Sequence, residues 1–164
     1  MPNNEYKLTT EIINLSEANT WEQAKLEWSV QLITSQSDPE TCLCGHNPIN
    51  ELCYIINEKN RKIALVGNCC VKKFMGERVD LVATGIKRII EDIDNAMNAE
   101  SIEFAYKKKW INDWEHCFLL NTKRSRRVSM NMRHKRRQIN LKVIDEWKWD
   151  QDHKDAIINP IWQI

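Results

Sequence analysis

Thr41-Cys42-Leu43-Cys44-Gly45-His46-Asn47-Pro48-Ile49, then Cys53, then Val66-Gly67-Asn68-Cys69-Cys70-Val71: five of the six cysteines of a 164-residue chain fall within these 29 positions. Tetrahedral zinc takes four thiolate or imidazole ligands. Cys42 and Cys44 project from one side of an extended turn that Gly45 allows to bend. Cys69 and Cys70 fall where a helix begins, and a helix N-terminus favours the thiolate that binds metal. The spacings are CxC and CC rather than CxxC. Neighbouring residues of a helix point about 100° apart, so one of the adjacent pair is the ligand. The expected set is Cys42, Cys44, His46 and Cys70, with His46 continuing the alternating side of the CxCxH string. Cys53 or Cys69 remains an alternative for the fourth place. Buried free thiols are the plainer alternative, but clustering favours one zinc ion. Its expected role is structural, because four protein ligands leave no position for water and no carboxylate stands beside the cluster as a base.

Around this cluster the pattern reads as a β-hairpin. Residues 52–56 and 63–66 are apolar and β-branched, and 57–61 supply the turn. Asn68 then caps a short helix to Met75. Upstream, the spacing predicts a short strand over 6–13. Thr20, with Gln23 as its capping-box partner, opens a helix that buries Trp21, Ala24, Trp28 and Leu32 and ends over 35–40 at Pro39. Downstream, Asp80 caps an amphipathic helix to about Met97, with Val82, Ile86, Ile89, Ile90, Ile93 and Met97 on its apolar side. Helices are expected over 101–109 and 112–120, the latter with Asn112 and Glu115 at capping-box spacing. Ser129 caps a last long helix to about Trp147. The expected fold is α+β, mainly helical, with one zinc-stabilised hairpin. It divides into 1–40, 41–76 and 77–164 within one compact unit.

Composition agrees. Hydrophobic residues make up 42%, with seven Trp, so a core can form, while four Gly and four Pro are too few for a turn-rich β-sandwich. No stretch reaches the roughly 18 apolar residues of a membrane span, and the first residues have neither the basic nor the apolar part of a signal peptide. A reducing, cytoplasmic compartment is therefore expected, where clustered cysteines serve metal rather than disulfides. The net charge of +1 conceals a split. Residues 1–100 hold 10 Lys/Arg against 15 Asp/Glu, a net of −5, and residues 101–164 hold 14 against 8, a net of +6.

The order of knuckle, hairpin and helix start resembles treble-clef-like zinc folds. The string Cys-x-Cys-Gly-His-x-x-Ile, the Tyr54, Ile55 and Asn57 hairpin, and Val-Gly-Asn-Cys-Cys-Val-x-x-Phe over 66–74 resemble a zinc-binding module of small bacteriophage and large DNA-virus proteins. The Trp-x-x-Ala-Lys-x-Glu-Trp stretch from Trp21 to Trp28 and the segment from Trp110 to Phe118 are similar to phage proteins too. The resemblance spans most of 20–145. It implies viral origin, a host-cell cytoplasmic setting and metal binding, and supplies no mechanism.

Residues 122–137 hold eight Lys or Arg in sixteen positions and no acid. Arg124, Arg126, Arg127, Arg133, Lys135, Arg136 and Arg137 form the footprint expected of a phosphate-backbone binder, with Lys123 beside them. DNA or RNA is the expected partner. Trp110, Trp114 and Trp147 flank the run, as core residues first and as base-stacking platforms second. A solvated face is the plain alternative for the charges. No enzyme is expected. His116 and Cys117 are helical neighbours whose side chains diverge, so a core Cys117 and a surface His116 are expected rather than a dyad. His134 and His153 lie in polar runs, and no Walker loop, nuclease carboxylate pair or nucleophile elbow is present. The acidic Glu91, Asp92 and Asp94 form a solvated helix face. The expected function is thus a zinc-stabilised nucleic-acid-binding accessory protein. The alternative is an inhibitor or adaptor that binds a host protein.

Overall fold

The computed structural model describes residues 4–76 and 78–158. Residues 1–3, 77 and 159–164, which the three-part division above includes, lie outside the described residues. The protein is a mainly helical α+β fold, 56% helix with one three-stranded antiparallel sheet. It divides into two units, Met1–Val79 with Lys154–Ile164, and Asp80–His153.

The first unit opens on helix α1 (Asn4–Leu15). This corrects the expected strand over 6–13: Leu8 and Ile12, four residues apart, are the buried positions, a helical and not an alternating spacing. Helix α2 (Trp21–Ala24) is a single turn, extended by a 3-10 turn over Lys25–Glu27. The expected helix then stops. Residues Trp28–Glu40 form strand β1, which pairs antiparallel with β2 (Ile49–Asn57). Trp28, Val30 and Leu32 alternate into the core, and β-branched and aromatic residues favour the pleated surface. The three- and four-residue spacing of Trp21, Ala24, Trp28 and Leu32 therefore crosses from a helical turn into a strand. Strand β3 (Ile63–Val66) completes the order β1-β2-β3 and pairs as the hairpin reading predicts. A hairpin alone is marginal in water, and the third strand supplies its missing neighbour.

Buried Glu27 ties this unit's loops together. Its carboxylate accepts from the Glu17 and Ala18 amides at 2.9 and 2.8 Å and from Asn57 Nδ2 at 2.7 Å. These bonds, the Asn57 side chain first, hold the carboxyl below its ordinary value. Helix α3 (Asn68–Met75) follows β3, with Gly67 rather than Asn68 as its N-cap. Gly76, at φ +70°, closes it in the left-handed region that suits glycine. Helix α3 packs on β2 with Val71 and Phe74 inward, and the short α8 (Lys154–Ile158) packs on β1.

The second unit is all helical among the described residues. Helix α4 (Val79–Glu91) buries Val82, Ile86 and Ile89, as its periodicity predicts. It ends at Glu91 rather than near Met97. Asn95 Nδ2 caps the Arg88 carbonyl at 3.0 Å, and Asp92 Oδ1 accepts the Asp94 amide at 3.0 Å. Met97 still reaches the core, through a loop and not along a helical stripe. Asn98 caps α5 (Ala99–Lys107), and Asn112 and Glu115 form the expected capping box of α6 (Asp113–Thr122). Ser129 caps α7 (Met130–Asp152), which runs past the expected end near Trp147, with Ile139, Val143 and Ile144 buried. Asn140, fully buried, donates to the Ile93 and Asn95 carbonyls at 2.8 and 2.9 Å and so fixes the α4–α5 loop to α7.

Candidate metal centre and basic surface

The candidate metal centre is assembled from a knuckle and a helix start. The Gly45 amide donates to the Cys42 carbonyl at 2.8 Å and the Cys42 amide to the His46 carbonyl at 2.9 Å, so residues 42–46 close on themselves. Gly45 sits at φ +92°, where an L side chain is strained. The Leu43 amide donates to the Leu65 carbonyl at 3.0 Å and fastens the knuckle to β3. Helix α3 begins immediately after that strand, which brings Cys70 to the same place.

The Sγ atoms of Cys42, Cys44 and Cys70 all lie within 4.8 Å of one another. Cys42 and Cys70 sulfurs are 3.5 Å apart, close to the edge of about 3.8 Å that a tetrahedral thiolate site sets at 2.3 Å bonds. Cys42 and Cys44 are buried and Cys70 is half-buried. The Cys42 thiol is pulled down to about 5, first by its hydrogen bond with Cys70 and then by the Cys44 and Gly67 amides, against burial. The Gly67 amide donates to Cys42 Sγ at 3.3 Å. Cys70 is pushed up from its ordinary value by sharing its proton with Cys42 and by burial. On a cation both sulfurs would be thiolate. Three soft donors in this arrangement can hold a metal ion.

The other expected ligands stand apart from the trio. His46 is exposed and lines the same hollow, about 620 Å³, that Cys42, Cys44, Cys69 and Cys70 border. Cys69 is exposed, the divergence expected of adjacent helical residues. Cys53 is fully buried in β2, opposite Ile33 and Val66. The Gly67 amide as a sulfur partner was not legible in the sequence, because main-chain donors carry no residue signature.

The basic residues separate into two groups. Arg124, Arg126, Arg127 and Arg133 are exposed on the α6–α7 linker and the first turn of α7. Lys135 lies 5.1 Å over the ring of Trp114, which is 56% exposed and stacked on Phe118 at 5.2 Å. Arg136 departs from the expected surface: it is buried and donates to the Thr122 carbonyl at 2.7 Å, locking the end of α6 to α7. Its stem occupies the core-facing sector with Ile139 and Val143, three and seven residues on. Arg137 pairs with Asp94 at 3.2 Å. Trp110 is buried against Phe104, as expected of a core residue.

His116 is half-buried, stacked on Tyr106 at 4.1 Å and 2.8 Å from a Glu103 oxygen, whereas Cys117 is exposed. The expected burial of the two neighbours is reversed. Among the described residues no helix is long and apolar enough to cross a membrane. No known protein family, curated protein or solved structure matches the chain.

Proposed function

We propose that this protein is a zinc-stabilised, non-enzymatic nucleic-acid-binding accessory protein of viral origin, acting in the host-cell cytoplasm. The convergence of Cys42, Cys44 and Cys70 where the hairpin meets α3 carries the reading. Thiolate donors select soft or borderline cations, and an imidazole as the fourth donor suits zinc. His46 is the fourth ligand in this reading, since it belongs to the same knuckle and borders the same hollow. A closed four-ligand site stabilises and leaves no place for a reacting water. The resemblance of the cysteine string and of the segments from Trp21 to Trp28 and Trp110 to Phe118 to phage proteins is what supports the origin.

Exposed Arg124, Arg126, Arg127 and Arg133 support the nucleic-acid partner, and exposed Trp114 offers a ring on which a base can stack. Metal analysis of untagged protein tests the first half: about one zinc per chain is expected, lost in the Cys42→Ser, Cys44→Ser double variant and kept in Cys69→Ser. Zinc well below one per chain, or full folding of the double variant, overturns it. A gel-shift series tests the second half. Retardation of DNA or RNA is expected at about 50 mM salt, weakening by orders of magnitude at about 300 mM. Charge reversal at Arg126 and Arg127 is expected to abolish it, and no retardation of any nucleic acid ends the reading.

One observation favours the alternative, an inhibitor or adaptor of a host protein. A groove of about 520 Å³ in the helical unit is floored by Ile89, Ile90, Ile93, Leu141 and Ile144, with Ile90 and Leu141 46% and 52% exposed. Partner capture that survives nuclease treatment selects this alternative; capture abolished by nuclease selects the first.

A further inference from the structure

A smaller hollow in the helical unit, about 290 Å³, gathers cations from two separate parts of the sequence. Arg88 comes from the last turn of α4, and Lys123 and Arg124 from the end of α6 and the linker beyond it. Residues 96–100, at the entry to α5, form the remaining wall. Only one carboxylate, that of Glu100, borders the hollow, so its lining carries a formal excess of two positive charges.

Charge pairing elsewhere in this unit makes the contrast. Lys108 is paired with Asp150, Lys142 with Glu115 and Arg137 with Asp94. Among the described residues no ion pair engages Arg88, Lys123 or Arg124, although 15 acids lie in the first hundred residues and 8 in the rest. Asn98 is bonded into the fold at both its oxygen and its amide nitrogen. Its oxygen accepts from Ser101, and its amide donates to the Leu81 carbonyl at 2.8 Å. The polar wall is therefore held rigid while the three cations keep their hydrogen-bonding capacity.

We infer that this hollow is a phosphate-binding site in which Arg88, Lys123 and Arg124 clasp one phosphate of the bound nucleic acid. Two guanidiniums offer paired N–H donors matched to phosphate oxygens, and the ammonium adds a compact charge. At about 30 Å³ per water, the hollow accommodates a phosphate with part of its hydration. Arg124 then links this site to the exposed run of Arg126, Arg127 and Arg133, so Arg88 extends the interface onto α4, where the basic run gives no hint of it. The site rests on the nucleic-acid reading given above. The same chemistry also admits a free phosphate or pyrophosphate.

The test uses the full chain loaded with zinc, fluorescent single-stranded DNA, duplex DNA and RNA, and, separately, inorganic phosphate and pyrophosphate followed by amide chemical shifts. Arg88→Gln and Arg124→Gln are each expected to weaken nucleic-acid binding at least fivefold. For duplex DNA each should lower the slope of log affinity against log salt by about 0.9, one contact's worth. Glu100→Gln should strengthen binding by removing the opposing charge. Thermal melts establish that each variant is folded, and Arg124, exposed on a linker, serves if Arg88 is needed for folding. Nucleic-acid binding by the unaltered protein with affinity and slope unchanged in both arginine variants overturns the site alone. Absence of nucleic-acid binding, with inorganic phosphate or pyrophosphate shifting the amides of 96–100, overturns the polynucleotide reading and retains the site for a small phosphate. Absence of both overturns the two together.

Discussion

At the residue scale, two positions carry constraints that composition hides. Gly85 lies in the middle of α4, where alanine ordinarily gains about 1 kcal/mol over glycine. Here a methyl group would overlap the Ser101 hydroxyl and the Asn98 side chain, both of which are bonded into the α4–α5 junction. Gly85→Ala is therefore expected to lower stability by about 1–3 kcal/mol, read from a urea midpoint. Glu27 gives a pH signature. Its carboxyl is held below the ordinary 4.5 by the Asn57 side chain and the Glu17 and Ala18 amides. A depressed acid stabilises above its unfolded value and loses that contribution as pH falls through the folded one. Glu27→Gln is expected to be less stable than the parent above about pH 4.5, with the gap closing as acid protonates the parent. A gap that persists unchanged to the lowest pH at which the parent folds would contradict the assignment. The three clustered sulfurs were the most legible part of the chain, because thiols crowd together in sequence chiefly where they share a cation, and adjacent helical cysteines cannot both face one point. Arg136 was illegible for the converse reason: a long cation reads the same in sequence whether its stem covers core or its head meets solvent.

At the scale of elements, side-chain caps were read correctly at Asn112 and Ser129, and incorrectly at Thr20, which makes no cap bond, at Asn68, whose place Gly67 takes, and at Asp80, which lies inside α4. Asn98 caps α5 in the same way as Asn112 and Ser129 cap theirs, ahead of the expected helix start at 101. Asn112→Ala is expected to cost about 1 kcal/mol, a melting shift of about 2–4 °C, because it strips the Glu115 amide of its acceptor and leaves the Glu115 side chain's reciprocal bond unsupported. No shift would mean that the α6 terminus is held by packing alone. The stretch from Trp21 to Glu40 shows why apolar spacing failed. Four hydrophobics at intervals of three and four satisfied a helical template. The run Trp-Ser-Val-Gln-Leu-Ile-Thr also satisfies alternation, and the pairing of β1 with β2 decides between them. Along that run the pairing joins residues 18 to 29 apart in sequence, from Thr34 with Leu52 to Trp28 with Asn57, beyond the reach of a local window.

At the scale of the whole molecule, the two units make separable demands. Zinc binding at Cys42, Cys44 and Cys70 would join the knuckle to α3 inside the first unit, and such binding is folding free energy. Stripping the metal from reduced protein is expected to lower the melting temperature and to speed amide exchange in the hairpin and α3. Exchange in Asp80–His153 should stay near its starting rate. Equal acceleration in both units would show that one cooperative transition spans the chain. The helical unit was the more legible of the two, since most of its helices are specified by their own caps and stripes. The sheet depended on a partner strand that no motif announces.

Helix α8 packs on β1, although the whole of Asp80–His153 separates it from the rest of its unit. The ribosome therefore releases every residue of the helical unit before the last element of the sheet unit emerges. Assembly order runs against chain order: residues 80–153 are all synthesised while the sheet still waits for a helix encoded downstream of them. A stalled or prematurely terminated message that stops after His153 would yield an intact helical unit beside a sheet that lacks its closing helix.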